Sequence, residues 1–209
     1  MSRLLLITGA MLAVAASVAA AAAAPTVTID AERSTITFGG TVTLSGTASP
    51  VTPGQKVTVV QTPQDGPAHS TQVTPGSDGS YSLDIEPQIQ TQVQAKYMTA
   101  TSQPQVIFVR PRIGLRKFGR SNGFGRFAVS VVAARSFTGK YVWITRWNRR
   151  AHRWVNIKRV FLTRYVKSTG ASTAAFKLRI NRRVKLRAFL NTSQARPGYV
   201  AGHSNFILS

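Results

Sequence analysis

The sequence predicts an all-β protein: an N-terminal export segment, then two tandem antiparallel β-sandwiches. Three observations predict it. Short runs alternate polar and apolar residues, with turn residues between them. No long stretch carries the helical period. Strand-like runs arrive about every ten residues in both halves of the 209-residue chain, a sandwich spacing.

The N-terminus reads as a secretory leader over residues 1–24. Arg3 supplies the positive charge, Leu4 to Val18 is apolar or small, and Ala19 to Ala24 offers small-residue cleavage sites before Pro25. No residue from Leu4 to Ile29 is charged, so an uncleaved N-terminal anchor with the body outside is the alternative. The chain has no cysteine, which excludes disulfides, thiolate metal sites and cysteine nucleophiles. A cysteine-free, β-rich exported chain fits a bacterial secretion route, to the extracellular space or the cell surface. Asn191-Thr192-Ser193, a glycosylation triplet elsewhere, is then a chance match.

Residues 25–109 form the first expected sandwich. Its strands are Thr41 to Ser45, Lys56 to Val60 after the Pro53-Gly54 turn, Tyr81 to Ile85 after the Ser77-Asp78-Gly79-Ser80 turn, Val93 to Tyr97, and Gln105 to Val109. The boundary falls near Arg110-Pro111. Residues 110–209 form the second. Its strands are Phe127 to Val131, Tyr141 to Ile144, Trp154 to Leu162, Ala175 to Ile180, Val184 to Ala188 and Asn205 to Leu208.

Gly40 to Gly46, Pro53 to Val59, and Gly79 to Leu83 resemble the immunoglobulin-like repeats of bacterial secreted and surface proteins. Lys140 to Arg146 with Trp154, and Arg187 to Phe189 with Pro197 to Ser204, resemble the same family in the second half. The resemblance covers nearly all of residues 26–209. It implies tandem immunoglobulin-like sandwiches that space, display or bind, without catalysis. It also implies that Trp154 is a core residue.

Charge divides the halves. The chain carries 27 Lys+Arg against 6 Asp+Glu. All six acids lie in residues 25–109, where they face only Arg33, Lys56 and Lys96. Residues 110–209 hold 23 Lys+Arg, 17 of them arginine, and no acid. Such a half cannot pair its own cations, and an anionic partner or salt relieves its self-repulsion. A basic surface serving only solubility, helped by arginine-rich codon usage, is the plainer reading.

Alternation places the cations. Val184, Leu186 and Ala188 share one parity, and Arg183, Lys185 and Arg187 the other, so the cations line the outer face. Phe176, Leu178 and Ile180 point in and Lys177 and Arg179 out; Val142 and Ile144 point in and Tyr141 and Trp143 out. In an immunoglobulin-like sandwich the third and sixth strands are neighbours, which sets Tyr141 and Trp143 beside Arg183, Lys185 and Arg187. Rings among arginines stack bases or sugars while the cations hold phosphate or carboxylate. Alternatively Trp143 packs on an arginine stem and only shields the sheet. The segment Arg146 to Arg153 is expected as a hairpin loop with four arginines. A second cluster, Arg110, Arg112, Arg116, Lys117, Arg120 and Arg126, surrounds the glycine-rich stretch Gly119 to Gly125, whose backbone N–H groups are candidates to hold an anion, although Gly123-Phe124-Gly125 reads as a plain turn.

Catalytic patterns are sparse. His152 and His203 sit in the half without carboxylates, and His69 falls in an expected polar loop. No cofactor-binding glycine loop or metal-ligand cluster is apparent. The expectation is a non-enzymatic exported module whose basic second half grips polyanions: envelope glycopolymers, acidic glycans, extracellular nucleic acid, an acidic protein surface or an anionic membrane surface. The candidate site is Tyr141, Trp143, Arg146, Arg149, Arg150, Arg153, Arg183, Lys185 and Arg187. The alternative is a structural or protein-interaction spacer with no specific ligand.

Overall fold

The computed structural model describes residues 23–209. The expected leader lies outside the described residues save for its last two. No helix among the described residues is long and apolar enough to cross a membrane.

Among the described residues ten strands precede Pro111: β1 (Thr26–Val27), β2 (Asp30–Ala31), β3 (Thr35–Thr37), β4 (Val42–Ser49), β5 (Val57–Pro63), β6 (His69–Val73), β7 (Ser80–Ile85), β8 (Thr91–Tyr97), β9 (Ala100–Thr101) and β10 (Gln105–Arg110). One sheet is ordered β1-β4-β2 with β7 on β4, and the other β3-β10-β8-β5-β6. All pairings here are antiparallel except β3 with β10. Alternate residues Val42 and Leu44 on β4, Val57 and Val59 on β5, and Val93, Ala95 and Tyr97 on β8 fill the space between the sheets.

Nine strands follow: β11 (Arg112–Ser121), β12 (Phe124–Val132), β13 (Tyr141–Asn148), β14 (Arg153–Phe161), β15 (Arg164–Val166), β16 (Ala171–Arg179), β17 (Lys185–Leu190), β18 (Gly202–His203) and β19 (Ile207–Leu208). The sheets run β11-β12-β16-β15 and β14-β13-β17-β18. That is the strand order of an immunoglobulin-type sandwich, with its third and sixth strands paired as β13 and β17. Phe127, Val129 and Val131 on β12 meet Val142, Ile144, Leu186, Ala188 and Leu190 in the core.

Every strand pairing among the described residues joins strands on one side of Pro111. Loops make the junction between the halves. Gln90 N donates to Gly198 O at 2.9 Å and Val200 N to Val109 O at 3.0 Å. The Tyr199 hydroxyl accepts from Ala134 N at 3.0 Å and donates to Gln88 O at 2.9 Å. Arg135 pairs with Asp65 at 3.2 Å.

Three local expectations are corrected. His69 opens β6, an edge strand on β5, instead of lying in a loop. Its residues His69-Ser70-Thr71-Gln72-Val73 carry almost no apolar alternation, because an edge strand needs little burial. The turn expected at Gly123-Phe124-Gly125 lies instead at Asn122-Gly123, between the ten-residue strand Arg112–Ser121 and β12, to which Phe124 and Gly125 already belong. Arg146 to Asn148 end β13 and Arg153 opens β14, so the loop between them shrinks to residues 149–152.

Candidate polyanion-binding pole

Chain direction gathers cations at one end of the second half. β11 leaves Pro111, and its tip lies about 30 Å away at the usual rise per residue. The connections β11–β12, β13–β14 and β16–β17 emerge at that far pole, whereas Ala134, Arg135 and Tyr199 face the junction.

Between the β13–β14 and β16–β17 connections lies an open cleft of about 620 Å³. Arg146, Arg149, Arg150, Arg182, Arg183 and Lys185 line it, with Trp147, Asn148 and Asn181. Asn148 shapes one wall: its Oδ1 accepts from Arg150 N at 3.0 Å and Ala151 N at 3.1 Å. This closes the turn through the backbone and leaves the Arg149 and Arg150 side chains exposed. On the other wall Arg183 adopts φ 58°. The two ion pairs among the described residues are Arg33 with Glu32 and Arg135 with Asp65, so no cleft cation is paired with a carboxylate.

Of the nine residues expected from sequence, Arg146, Arg149, Arg150, Arg183 and Lys185 meet in this cleft. Arg153 lies across the ladder from Asn148 and does not line it. Arg187 stands with its Cζ 4.3 Å from the Trp154 ring centroid. Its Nε is buried without an acceptor, and desolvation pulls its pKa below the usual guanidinium value. Arg187 has the parity opposite to core residues Leu186 and Ala188, which puts Trp154 on the outward face. This corrects the core assignment of Trp154. It is half-buried, and Trp147 meets it edge-on at 5.5 Å.

Tyr141 and Trp143 face outward, as alternation predicts, at the other end of the same sheet face. Their neighbour differs from expectation. Register sets Trp143 between Phe189 and Arg159, while Arg187 faces Thr145. The Arg159 Cζ lies 5.7 Å and 5.4 Å from the Tyr141 and Trp143 ring centroids. Tyr141 also packs against Phe161 at 5.6 Å.

Sequence reasoning missed Arg182, Arg159 and Trp147. Arg182 sits in a turn where alternation does not apply. The Arg159 contact depends on the β13–β14 register, which shifts at a bulge after Ile144. No group of three or more histidine, aspartate or glutamate side chains among the described residues is placed to hold a metal.

No family model matches the chain, and no curated protein matches it. Among solved structures it is similar to a tetra-tandem repeat in the extending region of a large adhesion protein. That likeness has 18% identity and a TM-score of 0.37, covering 88% of this chain and 49% of that one. The chain thus spans about half the length of that structure. It is also similar to a marsupial T cell receptor, at 9% identity and a TM-score of 0.31, covering 88% of this chain and all of that one.

Proposed function

We propose that this is an exported, non-enzymatic binding module of two sandwich domains, 25–109 and 110–209, whose second domain holds polyanions at its far pole. The six unpaired cations of the cleft carry the reading. Fixed like charges in one concavity repel each other, and a polymer of phosphates or carboxylates relieves that repulsion while releasing its own counterions. Arginine forks suit either group in bidentate geometry. The ring-lined sheet face beside the cleft offers apolar surface to the same ligand.

Titration of the full chain with inorganic polyphosphate across salt concentrations tests this. With five phosphates neutralised, affinity falls about 500-fold between about 50 and 200 mM salt. Substituting Arg149, Arg150 and Arg182 together by alanine flattens that dependence. Salt-insensitive binding, or a triple variant that binds as the parent does, overturns the proposal.

The junction favours a second reading. Hydrogen bonds from Gln90, Tyr199 and Val200 across Pro111 fix the halves to each other, as a rigid spacer requires. Failure to retain any anionic polymer would leave this reading standing.

A further inference from the structure

Beyond the core contacts of Leu115 and Phe127, β11 and β12 run on to a two-residue reverse turn. Its residues, Asn122 and Gly123, have φ angles of 50° and 80°, the conformation of a primed hairpin turn. A bulge between Lys117 and Gly119 leaves Phe118 out of register. Phe118 and Phe124 are exposed by 52% and 40%.

The two rings share the outward face. Phe124 and Arg126 alternate with buried Gly125 and Phe127, and Arg126 stands 5.0 Å from the Phe118 centroid. The next strand extends this face, with Arg179 opposite Phe124 and Lys177 opposite Arg126. Arg116 and Lys117 are exposed on β11. Arg120 braces the tip, donating to Gly123 O at 3.1 Å and Ile180 O at 2.9 Å.

Two phenylalanines held in water at a tip pack against nothing that the fold needs. Soluble polyphosphate, which has no base or sugar face, would satisfy the cations and leave the rings wet. A protein partner would need about 800 Å² on this side, far more than two rings and a turn present. An anionic bilayer satisfies both groups: rings enter the headgroup boundary, and cations meet lipid phosphates. The tip also lies at the pole farthest from the first half, so a flat surface can approach it freely.

We propose that the β11–β12 hairpin docks on anionic phospholipid bilayers, inserting Phe118 and Phe124 while Arg126, Lys177 and Arg179 contact headgroup phosphates. This goes beyond the cleft reading and does not require it.

Sedimentation of the full chain with vesicles tests it, using phosphatidylcholine alone and phosphatidylcholine mixed with phosphatidylglycerol. The chain binds the anionic vesicles and not the neutral ones. Each phenylalanine replaced by serine weakens binding about tenfold, and F118S/F124S keeps the parent's affinity for polyphosphate. Both positions are exposed, and an unchanged thermal melt confirms that the variant folds. The triple alanine variant at Arg149, Arg150 and Arg182 still loses vesicle binding when F118S/F124S is added. Undiminished vesicle binding by F118S/F124S, or equal binding to neutral vesicles, overturns the proposal. So does a parent dimer that this variant disperses in light scattering, because the rings would then cover a second copy.

Discussion

The Tyr199 hydroxyl donates to the Gln88 carbonyl at 2.9 Å, joining residues 111 positions apart and on opposite sides of Pro111. The same oxygen accepts from Ala134 N at 3.0 Å. The ring is buried, and desolvation raises its pKa against the opposing pull of the Ala134 amide and Arg135.

Tyr199→Phe therefore strands a carbonyl and an amide at once. A loss of about 1–3 kcal/mol is expected. All three tryptophans lie after Pro111, so their fluorescence reports that half alone, whereas far-ultraviolet circular dichroism reports both. The two melting curves coincide in the parent and separate in Tyr199→Phe. Coincident curves in the variant would show that Tyr199 does not couple the halves.

Alkaline titration probes the first half. Tyr81 is 5% exposed, donates to Thr28 O, and burial pushes its pKa up to about 12. The unfolded chain releases this proton near pH 10, before the folded one does. Stability from Tyr81 is therefore complete below about pH 10 and is lost as pH rises toward 12. Tyr81→Phe lowers the slope of stability against pH in denaturant melts taken across this window, leaving the share that Tyr199 contributes. Gly46→Ala attacks the same contact at neutral pH. Its Cβ would overlap Thr28 O and lie 2.7 Å from the Tyr81 hydroxyl oxygen, so a cost of about 1–3 kcal/mol is expected.

What could be read from sequence follows the physics of burial. On β12 and β17 one face is core and the other is solvent, so Phe127, Val129 and Val131, or Leu186, Ala188 and Leu190, declare the strand and its orientation. β6 escapes because an edge strand of His, Ser, Thr and Gln buries too little to show a pattern. Trp154 was misplaced because one ring cannot reveal its face without register. Trp147 and Arg187 make the outward face a low-cost home for it. The cleft was half legible. Parity finds the cations of a strand, but Arg182 joins them only through the turn that brings residues 181–183 against the β13–β14 loop.

Salt should stabilise this protein. Among the cations of the second half, Arg135 alone has a carboxylate partner, Asp65 of the first half, and that pair is partly exposed. Screening therefore removes repulsion without removing much attraction. The melting temperature rises from about 0.01 to 0.3 M sodium chloride, and polyphosphate raises it at lower concentration than chloride does. A falling or flat melting temperature would mean that the cations are too widely spaced to repel.

Arg187 and Arg150 separate packing from binding. Both are arginines of the same half, and both belong to the expected site. The Arg187 guanidinium is held over Trp154, with its Nε buried. Arg150 lines the cleft, exposed and free of carboxylates. Arg187→Ala uncovers the Trp154 ring, costs about 1–2 kcal/mol of stability and red-shifts tryptophan emission. It leaves the salt dependence of polyphosphate binding as in the parent. Arg150→Ala leaves stability within about 0.5 kcal/mol. It lowers the slope of log affinity against log salt by about 0.9, the value for one lost phosphate contact. Equal slopes in the two variants would show that charge acts without regard to position, and the cleft would lose its claim to be the site.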